Sequence, residues 1–423
     1  MTKTPAPTTP DARRRTYRRR RLLAGLGALV VVVLVAGVIT VVSVYADIDN
    51  GIRRSPIAAD PGVPQNTGES NILVMGLDSR VDQNGDPFPQ AIYDKIHAED
   101  ASVGGYNTNV LMLIHIPADG GKAVGISIPR DDYVDFPDAP DGVEKGKIKE
   151  AYGYAFDEKM NALTKKGEDH ATAYQEARTA ARQSTIKTVS EFLGNVRIDH
   201  FVEVTMAAFY EVAQAVQPIT VCLNNATQDT YSGADFQAGT QQIDAAQAMA
   251  FVRQRRDTSD NDVELTDLDR TRRQQAFMVS LAVKLRQGDV FTDFGRMQKL
   301  IDVAKKYTAL DDGFDLLSFA QQAQRLAGGN ISFVTLPIEE FGTRNGESVN
   351  IVDLDTIHAQ VAALLNPPTD APAPSTPDGS TSTTDGTPAA PADPAPSVAP
   401  TPAPTTYTDW RSPLQSGSVP CVN

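Results

Sequence analysis

In "RQRRDTSDNDVELTDLDRTRRQQ", Arg253 to Gln275, six arginines and six carboxylates share 23 positions. A helix that begins after Thr266 or Asp267 carries acidic residues in its first turn, as its dipole favours. Arg270, Arg273 and Gln274 then stand at i, i+3 and i+4, on one face and near the positive helix end. Arg253 and Arg255 close a preceding helix, and the connecting loop brings both groups together. Guanidinium forks and helix-terminal N–H groups aimed at one place suit a multiply charged phosphate. A lone arginine would read as a solvated surface charge; clustering at two helix ends is what favours an anion site.

Two further stretches fit the same site. "SIPRDDYV" sets Arg130, Asp131 and Asp132 beyond one apolar run, and "MGLDSR" sets Asp78 and Arg80 beyond another. If those runs are strands of an open α/β sheet, ligands bind outside their carboxyl ends. Carboxylates there, facing a phosphate held by arginines, are where a magnesium ion would bridge. Other chemistries lack their residues. The chain has no GxSxG, P-loop, HExxH or CxxC motif, and its five histidines show no ligand spacing. "DQNGD" after Val81 resembles a calcium loop in part, but Gly85 is misplaced and no bidentate glutamate follows at the right distance.

The elements that position these residues follow from periodicity. "NILVMGL", "VLMLIHI", "KAVGISI", "HFVEVT", "ITVCL" and "ISFVTL" read as strands. "DHATAYQEARTAARQSTIKTVSEFL", "AAFYEVAQAV", "TQQIDAAQAMAFVRQ", "RTRRQQAFMVSLAVKL" and "TIHAQVAALL" read as helices. Continuous apolar strands require cover on both faces, so the expected body is α/β, a mixed central sheet sandwiched by helices. The long polar stretch between the first two strands is expected to be a surface insertion over a binding cleft.

From Leu22 to Ala46 no charged residue occurs, about 37 Å of helix at 1.5 Å per residue and enough to cross a bilayer core. The apolar run is longer than that of a signal peptide. Seven arginines precede it, which predicts a cytoplasmic N-terminus (1–21), one transmembrane helix (22–46) and an extracellular remainder. The remainder carries 31 basic and 52 acidic residues, a balance that excludes a charge-driven partnership with nucleic acid. A juxtamembrane linker (47–69) leads into the body (70–366). Residues 367–406, nearly all Pro, Ala, Thr, Ser, Gly and Asp, read as a disordered linker. The tail, 407–423, regains Tyr407, Trp410, Leu414 and Cys421. Cys222 and Cys421 are the two cysteines. Paired, they would dock the tail on the body; a buried free Cys222 with an exposed Cys421 is the alternative, and the sequence leaves both open.

In this order, "NILVMGLDSR", "VLMLIHIP", "VGISIPRDDYVDFP", "KIKEAYGYA", "RIDHFVEV", "AMAFVRQR" and "DLDRTRRQQ" resemble the LytR-CpsA-Psr family of cell-wall glycopolymer ligases. The resemblance implies a membrane-anchored phosphotransferase that moves a glycopolymer from a polyprenyl-pyrophosphate carrier to peptidoglycan, leaving a phosphodiester. It implies that Arg130, Arg253, Arg255, Arg270 and Gln274 hold the pyrophosphate, with Arg273 flanking and Arg80 and Lys147 nearby. Arg130, Asp131 and Arg270 would act at the reacting phosphoryl, Asp131 as base or support. The polyprenyl chain would lie in an apolar pocket between sheet and helices. Asp78 would hold magnesium or manganese. The family's second metal-binding aspartate is replaced here by Asn109, whose carbonyl oxygen can still ligate with one charge fewer; the alternatives are a carboxylate supplied by the long acidic insertion, or a less active member. "VCLNNATQDTYSGADF" and the terminal "PCVN" look like the actinobacterial branch, which implies arabinogalactan as the polymer. A non-catalytic binder of lipid-linked wall glycans and a polyprenyl-pyrophosphate hydrolase are the alternatives.

Overall fold

The computed structural model describes residues 51–57, 68–101, 105–260, 263–286, 294–316, 319, 329–367 and 404–423. No described helix is long and apolar enough to cross a membrane, and the segment expected to do so, 22–46, lies outside the described residues, as does most of the linker, 368–403.

The described residues from Arg53 onward form one compact unit. Its elements are β1 (Arg53–Ser55), β2 (Ser70–Leu77), α1 (Gln90–Ile96), β3 (Thr108–Ile116), β4 (Ala123–Ile128), β5 (Tyr133–Asp135) and β6 (Lys145–Lys147). Then come α2 (Ala151–Lys165), α3 (His170–Phe192), β7 (His200–Thr205), α4 (Met206–Val216), β8 (Ile219–Leu223), β9 (Thr227–Asp229), β10 (Ala234–Phe236) and β11 (Gly239–Ile243). The second half holds α5 (Ala245–Arg253), α6 (Asp267–Arg286), α7 (Phe294–Tyr307), β12 (Thr308–Asp311), β13 (Ile331–Thr335), β14 (Glu340–Arg344), β15 (Glu347–Ile351) and α8 (Leu354–Leu365), before β16 (Leu414–Gln415) and β17 (Cys421–Val422) in the tail.

The main sheet is mixed and eight-stranded, in the order β1-β12-β7-β2-β3-β4-β13-β16. All six residues of β4 are buried, as a strand covered on both faces requires. Side chains alternate across the pleat, so Leu73, Met75, Leu111, Leu113 and Ile126 face one side. They pack there against Ile186, Val189 and Phe192 of α3 and Ile357 and Val361 of α8. Full burial of each such side chain stabilises by about 1.5–3 kcal/mol. On the opposite face Gln275 of α6 donates to Ser127 Oγ and Thr335 Oγ1, both at 2.9 Å. Helices therefore cover both faces, as the strand pattern predicts.

Differences from the sequence reading have local causes. "TQQI" continues no helix: it forms β11 against β8, and Asp244 caps α5 with Gln247 in a reciprocal box. The expected 47–69 linker contributes β1, parallel to β12 at the sheet edge. The insertion after β2 is more than surface. Phe88, Ile92, Tyr93 and Ile96 are buried, and Gln83 Nε2 donates to Glu203 Oε1 at 3.0 Å in the core. Asp82 Oδ1 accepts from the backbone N–H groups of Asn84 and Asp86, so that carboxylate closes a turn. In α3, Arg178 and Arg182 are fully buried on Glu203, at 2.5 and 2.9 Å, an ion cluster inside the core that the helical pattern did not reveal.

The tail docks. Cys222 is bonded to Cys421, 199 positions away. β17 runs parallel to β8, while β16 extends the main sheet along β13.

At the start of β7, His200 Nδ1 lies 3.1 Å from Asp311 Oδ1, and that hydrogen bond raises the imidazole above its ordinary range. A raised folded value stabilises fully below the unfolded value of about 6.5, and the contribution is lost as pH rises through the folded value. His200→Gln should therefore cost about 0.5–1 kcal/mol at pH 5.5 and much less at pH 9. Denaturant titrations at both values check this, and a gap that widens with pH contradicts it.

Candidate active site

The carboxyl end of β2 and the start of β3 form the floor of the site. Their ladder shifts register between Gly76 and Leu77, and a Cβ at Gly76 would lie 2.8 Å from Val110 Cβ. Only glycine lets the strands close there, which brings Asp78 beside the start of β3: its N–H donates to Asn107 O at 3.0 Å. Arg80 Nε donates to Ala98 O at 2.6 Å, and its Nη1 lies 3.5 Å from Asp78 Oδ1. The insertion thus fixes one arginine by a backbone carbonyl. It holds a second in the same way, because Arg253, at the end of α5, donates to the carbonyls of Ile96 and His97. Burial lowers the Arg253 pKa, which Asp78 partly offsets and Arg80 reinforces.

Beyond β4, Arg130 is buried and held at three points. Its Nη1 donates to Asn109 Oδ1 at 2.7 Å, its Nη2 lies 3.0 Å from Asp267 Oδ1, and its Nε lies 3.5 Å from Asp131 Oδ2. Arg270, one turn into α6, shares two of those partners: Nη2 donates to Asp267 Oδ2 at 2.9 Å and to Asn109 O at 3.3 Å. Asp267 and Asn109 therefore bracket two like charges. Burial pushes Arg270 down to about 10, Asp267 working against the shift and Arg130 with it, and the group stays charged at neutral pH. Among the described residues, Arg270 Nε is buried with no hydrogen-bond acceptor, and Arg130 Nε has only the long 3.5 Å ion-pair contact to Asp131 Oδ2. Two such donors are what an anion with several oxygens satisfies.

These groups open on one cavity, lined by Asp78, Arg80, Asn109, Arg130, Arg253, Arg255, Arg270 and Gln274. Five arginines thus face two lining carboxylates, Asp78 and Asp229, in a body that is acidic overall. Leu77, Val204, Met206, Phe209, Met249 and Val252 supply an apolar wall to the same space.

Three expected site residues do not line it. Arg273 has no exposed surface; it donates to Asn423 O at 2.6 Å, to Thr227 Oγ1 at 3.2 Å and to Gln254 Oε1, so it fastens the tail. At 100° per residue, position i+3 falls on the other flank of α6 from i+4, and Gln274 takes the cavity side. Lys147 pairs with Glu347. Asp131 accepts from Lys149 Nζ at 2.6 Å. Its burial alone would raise the carboxyl, but Arg130, Lys149 and Arg270 outweigh that and hold it below the usual carboxylate range. Such a group is a poor base and a good anchor for Arg130. Its neighbour Asp132 is pushed well above that range by complete burial, despite a hydrogen bond from Asn350, with Asp131 and Asp267 adding to the rise.

Sequence reasoning missed Lys149, the bracketing role of Asp267, and the turn Asp229–Ser232 on the cavity's rim. Asp267 is legible as a first-turn acid. The rim turn carries only the weak signal of "YSG".

Strand ends and two helix ends that converge on one arginine-rich, apolar-walled cavity define an α/β protein with a mixed-character cleft at the edge of its sheet. The chain belongs to the LytR_cpsA_psr family, whose model matches residues 32–365. It is 35% identical over 295 residues to the cell wall biosynthesis protein LcpA of Corynebacterium glutamicum, a match covering 69% of this chain and 55% of that protein. It is 26% identical over 289 residues to the polyisoprenyl-teichoic acid–peptidoglycan teichoic acid transferase TagU of Oceanobacillus iheyensis, covering 68% and 72%. Among solved structures, a LytR-Csp2A-Psr enzyme from Actinomyces oris superposes with a TM-score of 0.46 at 18% identity, over 74% of this chain and 96% of that one.

Proposed function

We propose that this chain is a membrane-anchored, outward-facing phosphotransferase that moves a glycopolymer, an arabinogalactan by its sequence resemblance, from a polyprenyl-pyrophosphate carrier to peptidoglycan. The observation that carries the reading is one cavity in which five arginines adjoin an apolar wall, since the donor joins a pyrophosphate to a hydrocarbon chain. The disulfide supports a body in an oxidising compartment outside the membrane.

In the reaction a sugar hydroxyl of the acceptor attacks the phosphorus that bears the glycan. The P–O bond to the second phosphate breaks, polyprenyl phosphate leaves, the hydroxyl proton is released, and glycan and wall are left joined through a phosphodiester. Arg130 and Arg270, bracketed by Asn109 and Asp267, present donors whose positions are set before substrate arrives, so they stabilise charge on the phosphoryl oxygens without reorganising. Arg253 and Arg255 hold the pyrophosphate, and Arg80 orients Asp78. The apolar wall takes the prenyl chain and keeps water from the reacting phosphorus.

A magnesium or manganese ion, when bound, would neutralise phosphate charge. Among the described residues no group of three or more His, Cys, Asp or Glu is disposed to hold a metal, so a preformed cage is excluded there. Magnesium commonly needs only one or two carboxylates plus substrate phosphates. Asp78, with its side chain 31% exposed, fits that role. The Asn109 side-chain oxygen is engaged by Arg130 and serves to position that arginine.

A labelled lipid-linked pyrophosphoryl glycan, offered with and without peptidoglycan and with and without magnesium, tests the reading. Acceptor-dependent, magnesium-stimulated transfer is expected. Equal turnover without acceptor points to a hydrolase, and binding without turnover to a non-catalytic glycan receptor.

A further inference from the structure

One part of the cavity rim is used by none of the steps above. Asp229, Tyr231 and Ser232 line the cavity from the turn that joins β9 to β10. Asp229 and Ser232 are buried, whereas Tyr231 is 62% exposed. A single exposed aromatic is ordinary on a protein surface. This one differs in how firmly it is presented.

Asp229 Oδ1 accepts from Tyr231 N at 3.0 Å, Oδ2 accepts from Ser232 Oγ at 2.8 Å, and the main-chain oxygen accepts from Gly233 N at 2.9 Å. Gly233 has φ +77°, and a Cβ there would lie 2.6 Å from His97 Nε2, so the turn is braced against the insertion that also fixes Arg253. Arg256 Cζ stands 4.8 Å from the centre of the Tyr231 ring, and its Nε is 4.0 Å from Asp229 Oδ1. The ring is thus oriented from one side by a cation and left open to the cavity mouth.

We propose that Tyr231 is the platform for the first sugar ring of the donor, the one attached to the pyrophosphate. This rests on the pyrophosphate reading. With the phosphates on the arginines and the prenyl chain against the apolar wall, the remaining substituent must leave past the other part of the lining, which is the 229–232 turn. A sugar ring presents C–H bonds on its flat face, and their slight positive charge suits the negative face of an aromatic ring. The hydroxyls at the edge of the sugar would meet the Arg256 guanidinium.

The test compares binding of two probes to the full chain in detergent by calorimetry: polyprenyl pyrophosphate, and the same lipid carrying one pyrophosphate-linked N-acetylglucosamine. Tyr231→Ala should weaken the glycosylated probe about tenfold and leave the unglycosylated one unchanged. Tyr231→Phe keeps the ring and should bind both as the parent does. Equal losses for both probes, or none for either, overturn the platform. An effect confined to the peptidoglycan acceptor in transfer assays overturns it also, by assigning the ring to the other sugar. If the parent binds neither probe, the pyrophosphate reading itself fails, an outcome distinct from these.

Discussion

Arg270→Ala should lower kcat by about 10²–10³-fold, the loss expected when one preorganised donor to a developing oxyanion is removed. The size follows from the environment. Arg270 is buried, shares Asp267 and Asn109 with Arg130, and stays charged although burial pushes it down to about 10. Its deletion removes one charge from the phosphate site and leaves Asp267 to pair with Arg130 alone, which pulls that second arginine's charge inward. Arg270→Lys should recover little, because a point charge cannot reach Asp267 and the phosphoryl oxygens at once as the planar fork does. Steady-state transfer kinetics, with circular dichroism to confirm the fold, measure the effect. A variant with parental kcat would remove Arg270 from the mechanism.

Separating Cys222 from Cys421, by the double replacement with alanine, should cost about 4 kcal/mol of stability. The bond closes a loop of 199 positions, so it removes much conformational freedom from the unfolded chain. It also secures a contact network that needs the tail in place. Arg272 Nη2 donates to the carbonyls of Asp409 at 3.0 Å, Trp410 at 2.6 Å and Ser412, and Arg273 Nε donates to Asn423 O. Without those acceptors Arg272 keeps only Gln275 Oε1 and Arg273 only Gln254 Oε1 and Thr227 Oγ1, so two buried guanidiniums of α6 lose part of their pairing, a costly change. The helix that carries Arg270 then loses its rear support, and affinity for pyrophosphate should fall with stability. Denaturant unfolding of the parent and the double variant measures the first effect and inorganic pyrophosphate binding the second. Coincident unfolding midpoints would show that the tail is merely tethered. As a contrast, Arg272→Ala should lower stability while its kcat stays near the parental value, since Arg272 touches the tail and not the cavity.

Much of this was legible from residue order. Apolar β-branched runs located β2, β3, β4, β8 and β13, as strands with little solvent on either face require, and β7 showed by its alternation, which is that of a strand buried on one face. The clustering of Arg253, Arg255 and Arg270 at helix ends predicted that they share a site, since chain connectivity alone brings two adjacent helix ends together. Asp78, Arg80 and Arg130 followed from the rule that loops after strand ends meet at one edge of a sheet. Short strands such as β1, β12 and β16 were not legible, because their stability comes from the partners they pair with and not from their own two to four residues.

What only the tertiary structure decided is the division of labour among like residues. In "DLDRTRRQQ", Arg270 faces the arginine-lined cavity while Arg272 and Arg273 hold a tail more than a hundred residues away in sequence. Arg130 and Lys149 hold Asp131 below the usual carboxylate range, while burial pushes Asp132, the next residue, well above it. Asn109, which the family resemblance offered as a metal ligand, accepts a hydrogen bond from Arg130 Nη1, a contact that residue order did not show. Sequence fixes which charges are available and on which element they stand. Which charge meets a phosphate, a carbonyl or another carboxylate depends on desolvation and on partners contributed by distant segments, and those exist only once the chain has folded.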